Sequence, residues 1–410
     1  MSVYDAATKP DTSNSSVPFS VLSALPVAAG LTAACSYYNQ AMLGNISNEF
    51  SMDASAIVLI PALTQLGNAL GVLLIAPIGD GVERKKLLVT TVWALVLALC
   101  MASVAPSFFW LAAASFFIGL AASAPQQLVP LSIQLTHPLA RGKMTGVMLS
   151  GILIGLLFSR AISGFVADQW HWRAMFLIAA ASVAAIGLVL RWSLPRCEPV
   201  SRIGYTHLIG SLKSQLKLHP TLLRISCAQA LLFASLLGFW STMPLAVFED
   251  SANMTSAGVG AIGFAGIGGV LAALYAGRCA DRYGAGRVSL AGLTIVLCSF
   301  AFLALTGPSI WALIFGLLFL DAGVQSSHAA NQSRICALDA LARNRLNTIF
   351  MASVLFGGSC GAVLGGIVFA WFGWSGVCGF GIVATCLSFL LLPETLSPAG
   401  NAFVRVPAKG

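Results

Sequence analysis

The chain has 410 residues, of which 58% are hydrophobic and only 9% charged, whereas an ordinary soluble surface needs about a quarter of all residues charged. Lipid must therefore be the solvent for most of it. The formal charge of +8 is scattered through short inter-helical stretches and follows membrane topology, which argues against a nucleic-acid partner.

Residues 1–20 are polar and rich in Ser and Thr, with one lysine, Lys9. They lack the charged-then-apolar order of a cleavable signal and are read as a cytoplasmic tail. The chain then runs as apolar stretches of about 18–25 residues, the length that crosses a hydrocarbon core of roughly 30 Å as helix. In the first half the predicted spans are 21–43, 54–79, 87–105, 108–129, 144–167 and 173–192. In the second half they are 222–248, 258–276, 288–305, 310–331, 346–371 and 376–392. This predicts an all-α integral membrane protein of twelve transmembrane helices in two pseudo-repeated six-helix bundles, 21–193 and 221–393, with a central loop at 194–220 and a tail at 394–410. The inner segments hold the Arg84 to Lys86 cluster, Arg141, Lys143, Arg278, Arg282, Arg287, Arg343 and Arg345, while the outer segments hold only Arg173. Both termini are therefore expected in the cytoplasm.

Landmarks recur at one offset of about 201 residues: Gly79-Asp80 with Ala280-Asp281, Pro106 with Pro308, Ala140-Arg141 with Ala342-Arg343, and Gly164 before Trp172 with Gly366 before Trp374. Parallel repeats follow, related by an axis along the membrane normal. In the central loop Leu208, Leu212, Leu216 and Leu223, with Lys213 and Lys217 between them, predict an amphipathic helix on the inner leaflet. Trp110, Trp170, Trp172, Trp311 and Trp374 fall near outer helix ends, where an interfacial belt is expected. Pro61, Pro125, Pro130 and Pro244 mark bending points. The ten cysteines sit mostly alone in apolar runs without a CxxC pair, so they read as packing residues and neither a metal nor a cofactor is expected. There is no Walker loop for ATP and no catalytic cluster of an enzyme.

Two charges lie deep in the predicted membrane, Arg160 in the fifth span and Asp321 near the middle of the tenth. Either is costly in hydrocarbon unless paired or facing water. A carboxylate so placed can take up and release a proton as access alternates, which makes Asp321 and Arg160 the proton-coupling candidates. Structural roles stay open for both: Arg160 could snorkel outward and Asp321 could bond a neighbouring helix. Whether they pair is open as well.

The loop Gly277-Arg278-Cys279-Ala280-Asp281-Arg282-Tyr283-Gly284-Ala285-Gly286-Arg287 resembles the GxxxDRxGxxR signature of the major facilitator superfamily, and Gly79-Asp80-Gly81-Val82-Glu83-Arg84-Lys85-Lys86 is a variant copy of it. The fifth span, with Gly146, Gly155, Ser159-Arg160 and Ser163-Gly164, resembles the helix 5 motif of the drug-proton antiporters. It departs by carrying Arg160 where that motif has Pro. The runs Tyr37-Tyr38-Asn39-Gln40 and Leu320-Asp321-Ala322-Gly323-Val324-Gln325 are similar to one bacterial twelve-helix branch. The resemblance implies that Asp80, Arg84, Asp281, Arg282 and Arg287 form gating latches between the halves. It also implies that spans 1, 4, 7 and 10 line a cavity presenting Tyr37, Tyr38, Asn39, Gln40, Gln126, Gln127, Gln229, Phe233, Trp240, Gln325 and His328. The expected activity is proton-coupled efflux of small organic compounds by alternating access, from a monomer in the bacterial inner membrane. Its partners are then a small-molecule substrate, protons and the lipid bilayer. The alternative is an uptake symporter or facilitator for a small metabolite.

Overall fold

The computed structural model describes residues 19–75, 77–137, 140–195, 205–250, 255–339 and 342–392. Every regular element among them is helical. The first half holds α1 (Phe19–Ala34), α2 (Tyr38–Ala41), α3 (Leu43–Phe50), α4 (Ala54–Ile57), α5 (Leu59–Leu74), α6 (Ile78–Gly81), α7 (Arg84–Ser103), α8 (Phe108–Ala121), α9 (Pro125–Leu135), α10 (Arg141–Gln169) and α11 (Trp172–Ser193). The connecting α12 (Tyr205–Leu218) leads to α13 (Pro220–Asp250), α14 (Ser256–Ile262), a 3-10 turn (Gly263–Gly266), α15 (Ile267–Tyr283), α16 (Ala285–Thr306), α17 (Ile310–Leu338) and α18 (Arg343–Leu391).

Ten of these helices, counting runs that continue through a break as one, are long and apolar enough to cross a membrane. The twelve expected crossings are reached because two of them are disguised. The first is broken after Ala34, and its apolar part, Leu22–Ala34, is short. The last two are joined in α18, where Gly373 turns the chain with φ 61° and ψ −150°, a conformation open to glycine. Other breaks follow from chemistry. Pro125 lacks an N–H and disfavours helix in the residue before it, so the fourth crossing splits into α8 and α9 with Pro125 in the first turn of α9. Among the described side chains of α12 the buried ones are Leu212 and Gln215, and Leu216 is exposed, so the stripe facing the protein is narrower than the leucine spacing predicts.

Each half has its own core. One cluster runs through α1 to α11, around Leu43, Leu95, Leu111 and Phe176, and the other through α12 to α18, around Phe239, Phe300, Leu320 and Phe350. The outer surface inverts the rule for soluble proteins. Leu97 is 65% exposed, Phe109 79% and Leu305 89%, which only hydrocarbon tolerates on this scale. At the end away from Phe19 and Leu392, Leu245, Ala246, Phe369 and Val377 of the second half join the first core. Nearer the middle, the Ser359 hydroxyl donates to the Ala62 carbonyl at 2.8 Å.

Trp172 departs from its expected place in the interfacial belt. It is 1% exposed, and its indole N–H donates to the Glu49 carboxylate. Glu49, at the end of α3 beyond the first crossing, also accepts from Arg173, whose Nη2 donates to the Ala105 carbonyl at 2.7 Å. Burial would raise the carboxyl, but Arg173, Trp172 and His171 outweigh it and hold Glu49 below its ordinary value of 4.5. A lowered carboxyl stabilises the fold above the unfolded value, and that contribution is lost as the pH falls through the folded value. Glu49→Gln is therefore expected to lower the melting temperature in detergent at pH 7 by a few degrees. The gap between variant and parent should close on acidification below pH 4.5, and a gap independent of pH would refute the ionic part of the contact.

Candidate functional site

Arg160 on α10 and Asp321 on α17 come from opposite halves and face one cavity between them. The space exists because the segment from α14 to α15 carries glycines where it passes both charges. A Cβ at Gly263 would lie 3.1 Å from the Arg160 Cβ, and one at Gly266 would lie 2.9 Å from the Asp321 Oδ2. Both charged residues are over nine-tenths buried, Arg160 at 8% and Asp321 at 7% exposure. They lie within electrostatic reach of each other, but the ion pairs among the described residues include no direct contact between them. The cavity of about 40 Å³ is also lined by Tyr37, Leu153, Leu156, Leu157, Phe233 and Gln325. That volume accommodates a few waters, not an organic solute.

Arg160 is fixed in place. Its Nε donates to the Gln40 Oε1 at 2.7 Å. Its Cζ lies 3.9 Å from the Trp240 ring centroid and 5.1 Å from that of Tyr37. A desolvated stack of this kind contributes about 2 kcal/mol. It accounts for how a guanidinium is tolerated here, and it replaces snorkelling as the explanation. The break between α1 and α2 is what delivers Tyr37 and Gln40 to it. Asn39, on the same short helix, donates to the Thr64 Oγ1 at 2.9 Å and ties α2 to α5.

Several buried polar atoms around the pair have no partner at normal hydrogen-bond geometry: Gln40 Nε2, both amide atoms of Gln65, and the Trp240 Nε1. The Trp240 N–H still interacts with the Asp321 carboxylate, and the Tyr37 hydroxyl with Gln65, beyond normal hydrogen-bond limits. A buried polar group without a partner costs about 1–3 kcal/mol. Gln40 Nε2 and the Gln65 amide thus stand beside the Arg160–Asp321 site with hydrogen-bonding capacity to spare. Gln65 is not among the sequence candidates, and its one signal is an amide in the middle of an apolar run.

Of the residues expected to line the cavity, Tyr37, Phe233 and Gln325 do so beside the two charges, with Gln40 and Trp240 holding Arg160. Others are placed elsewhere. Tyr38 is buried in the first core. Gln127 donates to the Thr91 Oγ1 at 3.2 Å inside the first half, and Gln126, beside it on α9, is half-buried and does not line the cavity. The His328 ring stands against Phe350 at 5.3 Å. Gln229 accepts from Asn331 at 3.1 Å.

In the loops, Arg84 Nε donates to the Gly79 carbonyl at 3.1 Å, while the side chain of Asp80 lies outside the described residues. Asp281, Arg282 and Arg287 are exposed, and no ion pair joins them among the described residues. Arg282 stacks on Tyr283 at 5.3 Å. Of the glycines on α10, a Cβ at Gly155 would meet the Gly30 carbonyl oxygen at 2.2 Å, whereas Gly146 has nothing within 4 Å and packs no neighbour.

The repeat sharpens the meaning of the two charges. At the offset of 202 between Arg141 and Arg343, the counterpart of Arg160 is Ala362 and that of Asp321 is Gly119. Each half thus carries one deep charge that its duplicate lacks.

The family model described as Major Facilitator Superfamily matches residues 26–266 and 225–405. A protein of Escherichia coli O157:H7 called an uncharacterized transporter is 31% identical over 367 residues, spanning 90% of this chain and 93% of its own length. The nucleoside transporter NupG, solved as a point mutant, superposes with a TM-score of 0.74 at 14% identity, over 92% of this chain and 100% of that one. A bacterial homologue of the human lysosomal transporter Spinster, solved in an inward-facing and unoccupied conformation, superposes with a TM-score of 0.69 at 17% identity, over 94% and 95% of the two chains.

Proposed function

The chain belongs to the major facilitator superfamily, and as a multi-pass membrane transporter of that family it is one that we propose couples proton movement to the efflux of small organic compounds by alternating access. The observation that carries the reading is the buried carboxylate of Asp321, set across an interhalf cavity from Arg160. A proton on Asp321 changes the charge of the site by one at the point where the two halves separate, which is what coupling requires. The small, largely leucine-lined cavity with aromatic walls favours an amphipathic solute. The protein is read as a monomer in the bacterial inner membrane with both termini in the cytoplasm. The end of the bundle away from Phe19 and Leu392, which is the closed one, then faces outward, and the exposed Asp281, Arg282 and Arg287 belong to an inner latch that is open in this conformation. The reading places the chain beside the drug-proton antiporters, with Arg160 as its departure from them, and assigns it no catalysis.

One observation favours a second reading, uptake by symport. Among the described residues only the Nε of Arg160 is engaged by a protein acceptor, so an anionic solute could bind its remaining nitrogens while Asp321 carries the proton. The experiment that separates the readings compares an overexpressing strain with a deletion strain on panels of toxic compounds and of nutrients. Export predicts resistance to some compounds on overexpression and sensitivity on deletion. Growth on a nutrient that is lost on deletion, with no resistance phenotype, would overturn efflux in favour of uptake.

A further inference from the structure

A contact that no motif signals closes the bundle at the end away from Phe19 and Leu392. Asp168, exposed in the last turn of α10 in the first half, reaches the start of α14 in the second. Its Oδ1 accepts from the Ser256 N–H at 3.0 Å and its Oδ2 from the Ala257 N–H at 2.6 Å. Amides in the first turn of a helix have no carbonyl of their own helix to bond, and a carboxylate there gives charge-assisted bonds. The local cap, Thr255, serves only the Gly258 N–H, at 3.3 Å. Ser256 is also held from the first half through its hydroxyl, 2.9 Å from the Asn45 Oδ1 of α3. A fully buried serine of one half is thus tied twice to the other.

The same helix face leads from this contact to the central site. Arg160, Gly164 and Asp168 lie at i, i+4 and i+8 on α10, one above another. Along that face a Cβ at Gly164 would lie 2.2 Å from the Ser256 carbonyl oxygen, and one at Gly260 would lie 2.6 Å from the Arg160 carbonyl oxygen. Past Gly260 the helix tightens into the 3-10 turn Gly263–Gly266, which passes Arg160 and then Asp321. A 3-10 stretch inside a longer helix is a common hinge.

We propose that Asp168, with Asn45, is the latch of the far gate in the transport cycle. It caps the Ser256 and Ala257 amides from the opposite half, and the glycine-rich turn links that latch to the Arg160–Asp321 site. The proposal rests on the alternating-access reading and adds residues to it. When the gate opens, water replaces both partners, since Asp168 already borders solvent. The contact therefore biases a two-state equilibrium and does not lock it.

The test is a distance measurement by pulsed electron resonance, in a cysteine-free background of the full chain, with spin labels at Trp170 and Phe372, exposed residues at the far ends of α10 and of the first crossing in α18. The parent should give mainly the short distance. Asp168→Asn, which keeps the shape and loses one charged acceptor, should raise the ratio of the long-distance to the short-distance population about fivefold. Asn45→Ala, a milder change away from the carboxylate, should move it the same way and serves if Asp168→Asn does not fold. Asp321→Asn should also shift the distribution. Unchanged distances in folded Asp168→Asn and Asn45→Ala would overturn the latch, and a shift in these two without one in Asp321→Asn would overturn the link to the site. Proton-driven transport with no latch effect would sink this proposal and leave the coupling reading standing. A latch effect without proton-driven transport would do the reverse.

Discussion

Asp321→Asn is expected to abolish concentrative transport while leaving exchange of solute down its own gradient. The amide keeps the size of the carboxylate and cannot carry a proton, so the coupled step disappears while the hinge and cavity remain. Loss of accumulation should be complete within the error of an initial-rate assay in proteoliposomes with an imposed pH gradient. Because the side chain is over nine-tenths buried beside Arg160, the variant also leaves that cation without its neighbouring carboxylate, and a lower melting temperature should accompany the defect. If a pH gradient drives the Asn variant as well as the parent, Asp321 is a structural residue.

Arg160→Lys should be nearly as damaging although it keeps the charge. The guanidinium is held by its bond to Gln40 at 2.7 Å and by the Trp240 ring at 3.9 Å. An ammonium has neither the planar face nor the fork to reproduce both. Losing the stack alone, about 2 kcal/mol, corresponds to a drop of roughly thirtyfold in the population of the competent site. Transport in membranes with normal expression should fall by at least tenfold. Retention of more than half the parental rate would show that only the charge matters and that the clamp does not.

The two charges are legible in the sequence because an ionised group inside an apolar run stands out against its cost in hydrocarbon. What they do to each other is not, since spacing along the chain says nothing of the rotation of α10 against α17. Rotation also explains the misplaced candidates. Tyr38 and Tyr37 are neighbours in sequence, but the chain leaves helix after Ala34, and only Tyr37 reaches the cavity while Tyr38 enters the core. His328 and Gln127 face their own halves for the same reason. Trp172 reads as an interfacial residue from its position near a helix end. The carboxylate that its indole meets, Glu49, is 123 residues away in the chain. Asp168 is invisible for a related reason, as its partners are backbone amides 88 and 89 residues on, and a backbone donor leaves no mark in the residue pattern. The crossings are legible because their length is set by the bilayer. The breaks at Pro125 and Gly373 agree with known backbone preferences, whereas the 3-10 turn at Gly263–Gly266 has no cue beyond its glycines.

Proton movement itself is the most direct measure of the central claim. In everted membrane vesicles acidified by respiration and monitored with a quenched pH dye, adding a compound to which overexpression confers resistance should release the quench in vesicles carrying the parent. It should do nothing in vesicles carrying Asp321→Asn at equal expression. Release of equal size in both, or accumulation of the compound against its own gradient that continues after the proton gradient has been collapsed with an uncoupler, would contradict proton coupling through Asp321.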